Sequence, residues 1–254
     1  MALSRRRAVG ARAGDRGARG GPPSLLLMTA AVIFDVDGTL VDSNDAHAQA
    51  WVTAFNEAGR DVSYDRVRRA IGMGGDKLMP HVAGLTEDSP LGRRIGERRK
   101  EIFLTEFLPH LKPFPRVRDF VQRLRDDTFN VVVASSASKK ELSALLDVAG
   151  IADLLTSATS ADDADRSKPD PDIVVAALQR SGASRESAVM VGDTPYDVVA
   201  AQQAGIAIVG VESGGWKRDE LAGAIEVHPG IAELCSSYSE SILARLRHDF
   251  RRTT

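Results

Sequence analysis

The stretch Ala31-Val32-Ile33-Phe34-Asp35-Val36-Asp37-Gly38-Thr39-Leu40 decides the fold of this chain. An apolar run ends abruptly in two carboxylates one residue apart, then Gly, then Thr. Acids are poor strand formers, and a carboxylate beside a buried core is costly unless it is paired or put to use. The carboxyl end of a buried parallel strand is a place of use, because open α/β sheets bind ligands along that edge. Two carboxylates there can hold a hard cation, or divide into a nucleophile and a proton donor.

Working outward, three further segments read as short buried strands followed by small or polar residues: 131–134, 188–191 and 206–209. Helical patterns alternate with them at 116–124, 139–148, 171–180 and 197–204. Alternation of β and α implies a parallel sheet with right-handed crossovers, hence an α/β, Rossmann-like core flanked by helices. One block breaks the alternation. Residues 43–112 contain no convincing strand. Within the block, 46–58, 64–70, 77–82 and 91–107 read as helical, and Gly72-Met73-Gly74-Gly75 as a flexible loop. The expected organisation is therefore a core of 28–42 and 113–245, with 43–112 inserted as an α-helical cap.

Three of the four predicted strands deliver a chemically useful residue to the same edge. Asp35 and Asp37 follow the first, Ser136 the second and Asp193 the Ala188 strand, while Lys168 precedes Pro169 in the intervening connection. Asp35 is suited to attack an electrophile, and Asp37 to protonate a leaving oxygen and then activate water. Asp35 and Asp193 supply oxygens for Mg²⁺, which prefers a few carboxylates plus waters. Ser136 and Lys168 offer a hydroxyl and an ammonium to a phosphoryl group. Gly38 lets backbone N–H groups approach an anion. Bland alternatives stand beside these readings. Asp193 ahead of Pro195 suits a helix cap, Ser136 could cap the helix from Lys139, and His47 could pack on Trp51 inside the cap.

Composition narrows the class without choosing a chemistry. The chain has 254 residues, 43% hydrophobic and 27% charged, enough for a sizeable core. The formal charge of −2 gives no general nucleic-acid signal. Residues 1–27 carry six arginines against one acid, a net of +5, leaving −7 for the remainder. They read as a disordered Arg/Gly-rich tail, with Met28 as an alternative start. The single Cys235 fits a reducing cytoplasm, and no apolar run approaches the ~20 residues of a membrane span. Composition points to no nucleic-acid partner and no membrane, and the expected state is a monomer or weak homo-oligomer.

The four groups in this order resemble the haloacid dehalogenase (HAD) superfamily of phosphohydrolases with a helical cap after the first strand. The resemblance covers roughly residues 28–240 and rests on DxDGT, the strand-terminal Ser136, Lys168 before Pro169, and GDxxxD ending in Asp197. It implies an aspartyl-phosphate at Asp35, acid/base work by Asp37, and Mg²⁺ on Asp35, the Asp37 backbone carbonyl and Asp193, with Asp197 acting through water or as an outer partner. An acid at position 37 disfavours dehalogenation and phosphonate hydrolysis. Within that superfamily the chain resembles phosphoglycolate phosphatases and β-phosphoglucomutases. Asp42, His47, Trp51 and Lys100 resemble mutase positions. The arginine that a mutase-like cap loop usually carries is missing from 72–77, and Lys77, the nearest cation, lacks the bidentate fork. The implied substrate-binding set is Gly38, Thr39, His47 and Lys77. The expected function is a Mg²⁺-dependent phosphatase acting on phosphoglycolate-like or sugar-phosphate-like metabolites. A phosphomutase and a non-catalytic phosphometabolite-binding protein are the alternatives.

Overall fold

The structure, a computed structural model, describes residues 30–253. The arginine-rich stretch 1–27 lies outside the described residues. Six parallel strands form one sheet in the order β3-β2-β1-β4-β5-β6. They are β1 (Ala31–Phe34), β2 (Asn130–Ala134), β3 (Ser157–Thr159), β4 (Ala188–Gly192), β5 (Ala207–Val211) and β6 (Glu226–His228). β1 lies at the centre, with Phe34 level with Val133 of β2 and Val191 of β4. All four β1 residues are buried, so neither face is solvent-facing and apolar residues run continuously.

Alternate side chains feed two separate cores. Val32, Phe34, Val131, Val133, Val189 and Val191 join one apolar cluster; Ala31, Ile33, Val132, Ala134, Ala188 and Met190 join the other. Each Val or Ile buried this way is worth about 1.5–3 kcal/mol relative to exposure. The first cluster is covered by α5 (Val117–Asp126), α6 (Lys139–Ala149), α9 (Ile231–Ser236) and α10 (Ile242–Thr253), the second by α7 (Asp172–Ser181) and α8 (Pro195–Ala204).

Between β1 and α5 the chain is helical: α1 (Asn44–Glu57), α2 (Tyr64–Ala70), α3 (Gly75–Ala83) and α4 (Pro90–Ile102). α1 packs against α4, and Trp51, Ala54 and Phe55 of α1 are buried among Leu78, Met79 and Ile95. The helical reading of this block therefore holds, with two adjustments. Gly75 opens α3 instead of closing a loop, because an N-terminal position needs only that its N–H be spared, and Gly74 caps it. The helix expected through Phe107 ends at Ile102 and widens into a π-helical turn, Phe103–Phe107. The strand expected at 206–209 begins at Ala207 and runs to Val211. β3 and β6 are strands that the sequence did not announce. Among the described residues, no helix is long and apolar enough to cross a membrane.

Candidate active site

The sheet's carboxyl edge begins where β1 stops. The Asp35 N–H still donates to Val191 O at 2.9 Å, so its backbone remains in the ladder while its side chain leaves the core. The chain then turns tightly. Gly38 N–H donates to Val41 O at 2.8 Å and Leu40 N–H to Val36 O at 2.8 Å. Gly38 adopts φ +79°, the left-handed region that glycine tolerates best. A Cβ there would also collide with Asn44 Nδ2 and Asp193 Oδ2. Gly38 is thus in contact with the acidic site through packing, a tighter constraint than an open approach for an anion.

Asp193 follows the last residue of β4, Gly192, and is fully buried. Thr39 Oγ1 donates to its Oδ1 at 2.9 Å and Asn44 Nδ2 to its Oδ2 at 3.0 Å. Thr39, expected to bind substrate, instead orients Asp193. Asn44 was not singled out in the sequence; its amide leaves the first turn of α1 to reach a residue 149 positions away. Burial, with Asp197 nearby, pushes the Asp193 carboxyl up to about 7 despite those two hydrogen bonds. The helix cap expected of Asp193 belongs to Thr194, which forms a capping box with Asp197. Asp193 is left free for other work.

Lys168 is the counterweight. Its Nζ donates to Asp35 Oδ1 and, at 2.7 Å, to Asp197 Oδ1, and the side chain is 1% exposed. Burial alone would lower its pKa, but Asp197 and Asp35 outweigh that and raise it. Asp197 Oδ2 accepts Thr194 N–H at 3.0 Å and Thr194 Oγ1 at 2.6 Å. Both Asp197 oxygens are therefore engaged by protein donors. Asp35 lies mostly under burial, with Lys168 opposing and the other acids reinforcing, and its carboxyl is raised well above the ordinary range.

Asp37 points the other way, into the interface with the helical insert. Its Oδ1 lies 2.8 Å from His47 Nε2 and accepts Ser43 Oγ at 2.5 Å. Burial would raise this carboxyl; the His47 ring and the two hydrogen bonds prevail and hold it below the usual value. His47, left between cleft and packing by the sequence, does both: it contacts Asp37 and stacks on Phe103 with centroids 3.8 Å apart. Ser43 carried no signal beyond being small and polar.

Ser136 Oγ is buried without a protein hydrogen-bond partner. It lines a small pocket shared with Asp35, Asp37, His47 and Lys168. That pocket opens into a cleft of about 300 Å³ between helical insert and sheet. The structure does not bring Lys77 there; its Nζ pairs with Asp170 Oδ2 at 2.7 Å, tying α3 to the core. Trp216 also lies outside both spaces, edge-on to Tyr196 and beneath the Arg69 guanidinium at 4.2 Å. The cation that does line both spaces is Arg99 of α4, one residue from the expected Lys100.

Among the described residues, Asp35, Asp193 and Asp197 bring one oxygen each within 4.8 Å of one another. Three buried carboxylates against a single ammonium leave a buried negative excess, which the raised Asp35 and Asp193 carboxyls register. This donor set fits a hard divalent cation. Asp35 and Asp193 have oxygen capacity to spare, whereas Asp197 is occupied by Lys168 and Thr194.

A sheet that gathers a buried carboxylate pair and a lysine at one edge, beneath an inserted helical layer, defines a hydrolase of the haloacid dehalogenase type. Residues 32–211 match the family described as Haloacid dehalogenase-like hydrolase, and the chain belongs to it. It is similar to a probable phosphatase, IndB, of Dickeya dadantii, at 30% identity over 200 residues, covering 78% of this chain and 87% of that protein. A phosphoglycolate phosphatase of Caulobacter vibrioides is 29% identical over 181 residues, covering 70% of this chain and 76% of the relative. A solved hydrolase from Pseudomonas syringae superposes with a TM-score of 0.78 at 25% identity, over 84% of this chain and 99% of that one.

Proposed function

We propose that this hydrolase is a Mg²⁺-dependent phosphatase of small phosphorylated metabolites, with residues 43–112 acting as a cap over the site. One observation carries the reading: the nucleophile candidate Asp35, the unpartnered Ser136 hydroxyl and the Lys168 ammonium face one pocket, with Asp37 across from them. An ammonium has three donors, and Lys168 spends two on Asp35 and Asp197, leaving one for a phosphoryl oxygen.

In this reading Ser136 and Lys168 hold the phosphoryl oxygens. An Asp35 oxygen attacks phosphorus as the phosphorus–ester oxygen bond breaks. Asp37 gives its proton to the departing alkoxide. It then takes a proton from the water that attacks the aspartyl-phosphate, which regenerates Asp35 and releases phosphate. Asp37 is held low by His47 and Ser43, but an arriving dianion beside it raises the carboxyl and favours the protonated acid. A Mg²⁺ ion held by Asp35, Asp193 and the Asp37 backbone carbonyl would neutralise charge on nucleophile and phosphoryl group. Closure of the cap excludes water.

The test is phosphate release from a panel of phosphorylated metabolites by wild type and Asp35→Asn, after chelation and with Mg²⁺ restored. The expected result is release from wild type only with Mg²⁺, and a loss of at least about 10³-fold in the variant. No release from wild type, or equal release from the variant, overturns the reading.

A further inference from the structure

On the phosphatase reading, the alcohol half of the substrate has to occupy the cleft that continues from the phosphate pocket. The two spaces share Trp51, Gly74, Arg99 and Ser136. Arg99 stands at their junction, where a guanidinium would ordinarily grip a second anion by its planar fork. Here one arm of that fork is already engaged, while the Arg99 Nε is buried without a hydrogen-bond partner. Its Nη1 donates to Glu141 Oε1, and its carbon lies 4.8 Å above the Trp51 ring. Glu141 sits in the first turn of α6, across the cleft from α4, and is 1% exposed. Ser138 Oγ donates to its other oxygen at 2.7 Å. Burial would push the Glu141 carboxyl up, but Arg99 chiefly, with His47 and Ser138, holds it below the usual range. The pair is therefore charged at neutral pH and cancels. Four further carboxylates and one lysine, Lys100, line the rest of the cleft, so its walls are net negative.

We infer that Glu141 is a specificity-determining residue: by neutralising Arg99 it selects phosphate monoesters whose alcohol is an uncharged, hydrogen-bond-donating polyol, and disfavours alcohols bearing a carboxylate or a second phosphate. Carboxylate walls accept hydrogen bonds from hydroxyl groups and repel a second anion. The inference rests on the phosphatase reading and goes beyond it, since that reading is indifferent to the alcohol.

The experiment compares glycerol 3-phosphate with 3-phosphoglycerate and phosphoglycolate, in Mg²⁺, with p-nitrophenyl phosphate as a generic substrate. Wild type is expected to prefer glycerol 3-phosphate by at least ten-fold in kcat/KM, with the margin shrinking as salt is raised. Glu141→Gln keeps the shape and the Ser138 partner but releases the Arg99 charge. It is expected to lower KM for the two carboxylate substrates and to narrow the preference at least five-fold. Adding Arg99→Gln to it should abolish that gain. A purely structural role for Glu141 would instead depress all substrates alike. A wild-type preference for phosphoglycolate, or an unchanged ratio in a folded Glu141→Gln, overturns the inference while turnover of p-nitrophenyl phosphate keeps the phosphatase reading intact. If Glu141→Gln fails to fold, the wild-type ratio alone decides. Absence of turnover on every substrate, p-nitrophenyl phosphate included, overturns the phosphatase reading and this inference with it.

Discussion

His47 Nε2 lies 2.8 Å from Asp37 Oδ1, and the ring that carries it is clamped flat against Phe103, with 11° between the planes. The first helix of the insert and the π-helical turn at its end together aim the carboxylate. His47→Ala removes both the attraction that lowers the Asp37 carboxyl and the contact that fixes its direction. The expected outcome is a fall in kcat of about 10²-fold, the scale of a misplaced catalytic group. The alkaline limb of kcat/KM, which reports the protonated acid, should move to higher pH because the Asp37 carboxyl rises. A pH profile separates this from simple loss of packing, which would lower the plateau without moving the limb.

Gly38→Ala tests the turn. The substitution forces an L side chain into φ +79° and drives its Cβ into Asn44 and Asp193. The left-handed conformation costs about 1–2 kcal/mol and overpacking about 1–3 kcal/mol. A stability loss of about 2–5 kcal/mol is expected in chemical denaturation. Because the displaced group is Asp193, the Mg²⁺ concentration for half-maximal activity should rise as well. A stability loss with unchanged Mg²⁺ dependence would show that Gly38 serves the backbone alone.

Asp193 makes stability and metal depend on pH together. Its carboxyl is raised from 3.8 to about 7 by burial and Asp197. A raised acid binds its proton more tightly when folded, so its contribution is fully present below about pH 4 and is lost as pH rises through about 7. In chelator, the melting temperature is expected to fall between pH 5 and pH 8. A divalent ion replaces the proton, so the Mg²⁺-induced rise in melting temperature should be larger at pH 8 than at pH 5. An equal rise at both values would contradict the coupling.

Asp35, Ser136 and Asp193 were legible as candidates because each follows an apolar strand run, whereas Lys168 stood out only by its place before Pro169. Four Val- and Ile-rich runs marked the central strands, and polar residues at their ends stood out against them. β3 and β6 escaped because Ser157-Ala158-Thr159 and Glu226-Val227-His228 are three residues long and have no apolar run of their own; they are strands through pairing with β2 and β5. Asn44, Ser43 and Arg99 escaped for another reason. Their roles arise from contacts between the insert and the sheet, which local periodicity does not encode. Arg99 and Lys100 project about 100° apart on the same helix, and both line the cleft, but the crossing of α4 brings only Arg99 to the phosphate pocket as well. The missing cap-loop arginine likewise drew attention to Lys77, whose charge is spent on Asp170.

Arg68 fastens the insert to the carboxyl edge of the sheet. Its Nη2 donates to Gly214 O at 2.7 Å and its Nε to Asp45 Oδ1 at 2.6 Å. The same Gly214 carbonyl accepts Asn44 Nδ2 at 3.3 Å, and that amide holds Asp193. Gly214 itself leaves no room for a Cβ against Asp193. Arg68 and Asn44 therefore tie the insert to the 212–215 turn that packs on the Asp193 carboxylate. The Asp45 pair is solvent-facing and worth about 0–1 kcal/mol, and the carbonyl contact about 1 kcal/mol. Arg68→Ala should thus cost only about 1–2 kcal/mol of stability. Its effect on catalysis should exceed what that small loss of folded protein implies, because the closed arrangement is populated less often in the folded protein. A ten-fold fall in kcat/KM corresponds to about 1.4 kcal/mol and is the expected size. It should come with a weaker response to Mg²⁺, since Asn44 loses the neighbour that fixes its carbonyl partner. Steady-state kinetics across a Mg²⁺ series, beside a melting curve, tests this. Wild-type kinetics in a measurably destabilised Arg68→Ala would show that the contact holds the insert without serving the site.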